Sequence, residues 1–508
     1  MKEFNVKRID VDTGKYEIIL NIEDARDLSV YREDRVKVVG GRKTITAKVN
    51  VTDTLIEPGT IGAFRKTHDA LDVAVDDKIQ LIPTSKPDSV EYIRKKMDGK
   101  ELSKSELYDI IRDLVSGSIS DIEMTAYVVA CYTRGMTLDE TENLTKAIID
   151  TGDVIEFDKG PVFDFHSIGG LPGNKVTLLV VPIVAASGLM IPKTCSRAIS
   201  SACGTADILE TIANVTLSIE DIKRISEEVG GVIAWGGAVN MAPADDLIIQ
   251  VEYPLAIDPY PQVISSIMAK KKAGGAEYLL IDLPMGPGTK VETEEIARRY
   301  VNDFIEIGRR IGIKVECAIT FGGQPVGAAI GPALEVKEAL EALEGKKVRT
   351  SLIEKSAALA GLILEAGGVA TTGQGKEAAK EIIRSGKALE KLLEIIKHQG
   401  GNHEITSETV PLGKYTHTVV SDKEGYVDAI NNKSIVKVVR AAGAPKSKGA
   451  GLWLYEKKGH KVAKGQKLYT LYADSERKLK EALRVSRELR PLTIEGMLLK
   501  VFPSFHQI

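Results

Sequence analysis

The chain has 508 residues, enough for about three domains at roughly 100–200 residues each. With 43% hydrophobic and 27% charged residues it has an ordinary globular composition, which excludes a disulfide scaffold and a disordered tail. The 71 acids nearly balance the 68 bases, so charge alone marks no nucleic-acid or membrane surface.

The opening MKEFNVKRIDVDTG carries no apolar stretch behind its charges, which predicts a protein without a secretory signal that works in the cytoplasm. Residues 1 to about 84 read as strands. KYEIILNI, DRVKVVGG, KTITAKVNVTDTL and DDKIQLIP alternate apolar with polar residues between Gly, Asp and Pro turns, which predicts a small β domain. TSKPDS then serves as a linker, and the period changes to helical. Ser103 with Glu106, Ser120 with Glu123 and Thr137 with Glu140 are three successive capping boxes, and Leu107, Ile110, Ile111 and Leu114 form an apolar stripe behind the first. A helical domain over 88–160 follows, to which later helices return.

From 161 to 400 the pattern is strand, glycine loop, helix. PVFDFHS, VIAWGG, EYLLIDLP and KVECAITF are the strands, which predicts a mainly parallel α/β domain. The apolar run VTLLVVPIVAASGLMIP at 176–192 is short for a membrane span and reads as one buried helix. Residues 332–400 are helical, and 410–508 return to strands with a helix around SERKLKEALRVSREL, a β-rich α+β domain. The fold class is therefore multidomain, α/β and α+β. Four cysteines without CxxC spacing, and no paired histidines, predict reduced thiols, no metal and no cofactor.

Twenty-five of the 46 glycines lie between 161 and 375, where backbone freedom points to ligand loops. The first, His166-Ser167-Ile168-Gly169-Gly170-Leu171-Pro172-Gly173-Asn174-Lys175-Val176-Thr177, joins a strand to a helix. Its N–H groups suit an anion, and it differs from a Walker A loop around Lys175. A packing turn is an equally open reading of this segment by itself. The second, Ser196-Arg197-Ala198-Ile199-Ser200-Ser201-Ala202-Cys203-Gly204-Thr205, gathers a guanidinium and hydroxyls that can bind phosphate or sugar, with Asp207 as a helix N-cap. The third runs through Asp258, Ser266 and the lysines 270–272 to the strand-end loop Asp282-Leu283-Pro284-Met285-Gly286-Pro287-Gly288-Thr289-Lys290. Lys271 and Lys272 read as a solvated helix face.

In that order, HSIGG…GNKVT, SRAISSACGTADILE, SSIMAKKKAGG and DLPMGPGTKV resemble the thymidine and pyrimidine-nucleoside phosphorylase family, over about residues 88–508. More closely they resemble the branch that acts on AMP, known chiefly from archaea, in which an N-terminal β domain is also a feature. The resemblance implies cleavage of the N-glycosidic bond of AMP by inorganic phosphate, to adenine and ribose 1,5-bisphosphate, with CMP and UMP as further candidates. It implies no nucleic-acid or membrane partner, and a homodimer or larger homo-oligomer.

The same resemblance places Gly170, Ser196, Arg197, Ala198, Ile199, Ser200, Ser201 and Thr205 in the phosphate and nucleotide loops. It places Ser266 toward the base, Lys290 after the Gly-Pro-Gly loop, and Asp258 as the proton donor. Nucleoside-specific members carry Lys where Phe165 stands and Arg where Ile257-Asp258 stands. Loss of that Arg and gain of an acid fit a purine leaving group. A free aspartate near ~3.9 is ionised at neutral pH, so this role predicts that Leu255, Ile257, Pro259 and Pro261 desolvate Asp258. The second phosphate loop also resembles anthranilate-type phosphoribosyltransferases, for which Asp245-Asp246 would be metal ligands. The segment 439–472 resembles a lipoyl-type barrel-sandwich, without a lysine at its turn.

Overall fold

A computed structural model describes residues 3–40, 43–74, 77–198, 201–346 and 350–498. The chain divides into two compact units, Met1–Gly152 with Ala242–Ala269, and Asp153–Met241 with Lys270–Ile508.

The first unit opens with a closed six-stranded barrel, in the order Glu3–Ile9, Thr60–Phe64, Glu17–Asn21, Lys43–Thr52, Arg35–Gly40 and Lys78–Pro83. The first and second of these pair in parallel, as do the third and fourth. Phe4, Val6, Ile18, Leu20, Val36 and Val38 fill its core. Four of the six strands were legible as alternating segments. Glu3–Ile9 and Thr60–Phe64, which pair with each other across more than fifty residues, were not, and neither were the helices Ile22–Asp27 and Arg65–Leu71.

The barrel belongs to the same unit as the helical bundle, and Arg35 pairs there with Glu123 in a largely buried ion pair. All three capping boxes form, on the helices Lys104–Val115, Asp121–Arg134 and Leu138–Asp150. The expected stripe of Leu107, Ile110, Ile111 and Leu114 is buried. Glu140 does more than cap: it accepts from Leu102 N–H at 2.9 Å and pairs with the buried Lys96 at 2.7 Å. The helix Pro243–Leu255 and the first part of Tyr260–Ala273 belong to this unit as well.

The second unit is built on parallel strands. Lys314–Phe321, Tyr278–Met285 and Phe163–Ser167 pair in that order. A parallel bridge between Val162 and Met190 leads on to Ile191–Cys195, which pairs with Gly231–Trp235. The apolar run 176–192 is not one helix. Thr177–Ala186 is a buried helix with Pro182 inside it, and the run ends in the strand Ile191–Cys195. Uniform hydrophobicity hid the change, because both elements are buried on all sides and neither shows a period. Helices Pro332–Leu343, Thr350–Ala366, Gly375–Arg384 and Lys387–His398 follow, then a four-stranded and a three-stranded sheet with helices Asn432–Ala441 and Glu476–Leu489. Among the described residues no helix is long and apolar enough to cross a membrane.

Candidate active site

Three loops of the second unit leave the carboxyl ends of three adjacent parallel strands, Tyr278–Met285, Phe163–Ser167 and Ile191–Cys195. This is where open α/β sheets gather ligands. The strand order brings together loops that are far apart in sequence.

The first loop starts at Ser167, whose hydroxyl donates to Asp282 Oδ2 at 2.6 Å, while Ile168 N–H donates to the Asp282 carbonyl at 2.9 Å. Asp282 is fully buried, accepts from Thr320 Oγ1 and pairs with Lys355 at 2.9 Å. Gly170 has φ +103, and a Cβ there would lie 3.3 Å from Lys290 N. The turn thus sits directly on the third loop, with a backbone shape that only glycine adopts easily. Lys290 is half-buried, and its loop is braced by Thr289 Oγ1, which donates to Gly286 O and accepts from Val291 N–H.

Lys175 and Thr177 do not open toward a ligand: Lys175 is fully buried, donates to Gly173 O and Val326 O, and pairs with Glu338 at 2.8 Å. Thr177 is buried at the helix start.

In the second loop Ser196 is exposed, and a Cβ at Gly204 would lie 2.4 Å from the Ser196 carbonyl, so the loop closes on itself through a glycine. Asp207 is not the N-cap of the following helix. It stands at the third helical position and accepts from both Gly204 N–H at 2.9 Å and Ala198 N–H at 2.7 Å. The Arg197 fork is filled by Glu210, at 2.7 and 2.5 Å, with its guanidinium 4.6 Å from the Trp235 ring. Arg197 and then Lys448 hold the Glu210 carboxyl at about 2. Ser201 Oγ donates to the Cys203 carbonyl, and Thr205 begins the helix Thr205–Leu209. Ile199 and Ser200 lie outside the described residues.

Asp258 and Ser266 belong to the other unit. Ser266 Oγ donates to the buried Asp245 at 2.8 Å, so one of the two acids considered as metal ligands serves to orient this serine. Asp258 follows the helix Pro243–Leu255 and is exposed, as is Leu255, while Pro259 and Pro261 are buried. The expected desolvation of Asp258 by its neighbours is therefore not met within this unit.

Two features escaped the sequence reading. Lys271 is no solvated lysine: it is 2% exposed and pairs with Asp164 at 2.7 Å. Lys193, also buried, lies 3.9 Å from the same carboxylate. A lysine inside an IPKTC strand and an aspartate inside FDFHS were available signals, since buried strands seldom carry charge without a partner. His166, beside Ser167, is pushed well below the usual imidazole range by burial, then by Lys193, Lys271, Lys270 and Lys290, so it is neutral. The loops thus set the Gly170 turn beside Lys290, with Lys193 and Lys271 on the elements below them, an arrangement that can hold phosphate.

The chain is similar to known proteins over nearly its whole length. Family models match at residues 90–152, described as a glycosyl transferase family helical bundle domain, and at 159–389, as that family's a/b domain. A pyrimidine nucleoside phosphorylase C-terminal domain matches at 426–492. The chain is 49% identical to AMP phosphorylase 1 of Archaeoglobus fulgidus over 98% of this chain and 99% of that protein. It is 48% identical to AMP phosphorylase of Thermococcus kodakarensis, over 97% and 98%. Among solved structures, anthranilate phosphoribosyltransferase from Thermus thermophilus is similar in fold, with TM-score 0.52 and 20% identity over 62% of this chain and 100% of that one.

Proposed function

Because the chain belongs to the AMP phosphorylases of this glycosyl transferase family, we propose that it cleaves the N-glycosidic bond of AMP with inorganic phosphate, releasing adenine and ribose 1,5-bisphosphate. The observation that carries this reading is the set of loops at three adjacent strand ends, with the Gly170 turn resting on Lys290.

The chemistry divides as follows. The C1′–N9 bond breaks with its electron pair moving into the purine, and Asp258 gives a proton to N7, so that neutral adenine leaves. A phosphate oxygen attacks C1′ as the sugar becomes oxocarbenium-like, and Lys290 with the loop N–H groups and hydroxyls stabilises its charge. Gly170, Ser196, Ser200, Ser201 and Thr205 supply the close approach and the hydroxyls, with Ala198 and Ile199 as loop backbone. Arg197 contributes its main chain while its guanidinium, held by Glu210, fixes the loop; this division is supported by the filled fork. Ser266, oriented by Asp245, faces the base.

The same resemblance supports a cytoplasmic homo-oligomer. Adenine release from AMP with phosphate, assayed beside adenosine, thymidine, CMP and UMP, tests the activity. Turnover of thymidine but not AMP would overturn it.

A further inference from the structure

The strands beneath the first two loops carry Asp164 and Lys193, and the helix Tyr260–Ala273 brings Lys271 to the same carboxylate. Asp164 gives Oδ2 to Lys271 Nζ at 2.7 Å, and Lys193 Nζ stands 3.9 Å from its Oδ1. Both ammonium groups also donate to the Thr194 carbonyl, Lys193 at 2.7 Å and Lys271 at 3.0 Å. All three charged side chains are at most 5% exposed. Two lysines therefore lean on one carboxylate, and holding both of them charged is costly unless a further anion arrives.

Among the described residues the nearest further acids are engaged elsewhere: Asp207, which acts on Cys195, accepts from Ala198 and Gly204 N–H and faces Arg197 at 3.5 Å, and Asp282 on the neighbouring strand pairs with Lys355 at 2.9 Å. On the strand of Asp164, His166 is neutral, and on the strand of Lys193 the Cys195 thiol is pushed up to about 11 by burial. Gly231–Trp235 and Thr177–Ala186 have no titratable side chain, and Ile219–Val229 turns Ile222, Ile225, Ser226 and Val229 inward. Lys270 acts on His166 in the same direction as Lys193 and Lys271. Burial and then Lys271 pull Lys193 down to about 7. Lys193 leads into Ser196–Ala198, and Asp164 leads into Ser167–Gly170.

We propose that Lys193 is a positioning residue for the phosphate group held by these loops: that phosphate is the missing anion, and binding it draws a proton from solvent onto the Lys193 amine. The inference rests on reading 167–170 and 196–201 as phosphate loops.

Isothermal titration in two buffers of different ionisation enthalpy reads both affinity and proton uptake. Inorganic phosphate and AMP are titrated separately, to tell which of the two phosphates is concerned. At pH 8 the wild-type protein should take up a large fraction of a proton more than Lys193→Arg in at least one arm, a difference that cancels the ligand's own ionisation, and little more at pH 6, where Lys193 is already charged. Lys193→Met leaves Asp164 and Lys271 as a balanced pair, so it should fold. It should bind roughly tenfold more weakly in that arm, without that excess uptake, as expected for one partly screened charge. Lys193→Arg, always charged, should keep binding and lose that excess.

Unchanged affinity and uptake in folded Lys193→Met would overturn the proposal. If that variant fails to fold, unchanged uptake in Lys193→Arg overturns it. Ser196→Ala separates the two levels. Weakened binding there with Lys193→Met unaffected removes the Lys193 inference alone, whereas unweakened Ser196→Ala binding in both arms removes the loop reading and the inference with it.

Discussion

Replacing Gly170 by Ala tests whether the first loop and Lys290 act as one device. Gly170 has φ +103, and a Cβ there would meet Lys290 N at 3.3 Å and Thr289 Cα at 3.5 Å. These are backbone atoms, which cannot swing aside like the end of a side chain. A non-glycine residue in such a conformation costs about 1–3 kcal/mol. If the strain is relieved by moving the turn off the Lys290 loop, the same energy is lost from the transition state, a fall in kcat/KM of roughly fivefold to 150-fold.

Two companion variants separate the causes. Gly288→Ala sits in the same third loop at φ +79, but its nearest neighbour would be Lys433 Cγ at 3.5 Å, so it carries the left-handed cost of about 1–2 kcal/mol without a backbone collision. Gly169→Ala meets nothing within 4 Å and should leave the melting temperature unchanged. Adenine release is followed while phosphate is varied at saturating AMP, with thermal melts beside it. Gly170→Ala retaining kcat/KM within about twofold of wild type would refute the reasoning.

Asp258→Asn should lower turnover by about 10²–10⁴-fold, the range of a lost general acid, while AMP binding by calorimetry persists; a near-normal rate would remove Asp258 from the reaction. Glu210→Gln should loosen the second loop and lower kcat/KM. Because its folded carboxyl titrates at about 2, below the ordinary 4.5, the stability it contributes is complete above pH 4.5 and lost as pH falls toward about 2. The melting difference between wild type and Glu210→Gln should therefore shrink across that window, and a difference constant down to pH 2 would contradict the ion pair. Lys96→Met leaves the buried Glu140 without its 2.7 Å partner and should destabilise the bundle by about 3–5 kcal/mol in urea; a loss under ~1 kcal/mol would mean that Glu140 finds other compensation.

What the sequence by itself determined is what depends on short-range geometry. Ser103, Ser120 and Thr137 each reach a backbone N–H three residues on, so their capping boxes are set within one helical turn and were legible as written. The same holds for the order of the glycine loops after their strands, and that order carried the family resemblance. The tertiary structure decided where charge goes. Lys271 sits in a run of three lysines that reads as solvated, yet Asp164, 107 residues away, draws it into the interior. Arg197 reads as a free fork until the chain returns Glu210 to fill it, and Asp258 reads as shielded until Leu255 turns outward. The barrel shows the same division, since alternation marks a strand but not the partner with which Glu3–Ile9 runs in parallel. Pairing, burial and ionisation are set by atoms brought together across long loops, and no local pattern encodes which distant group arrives.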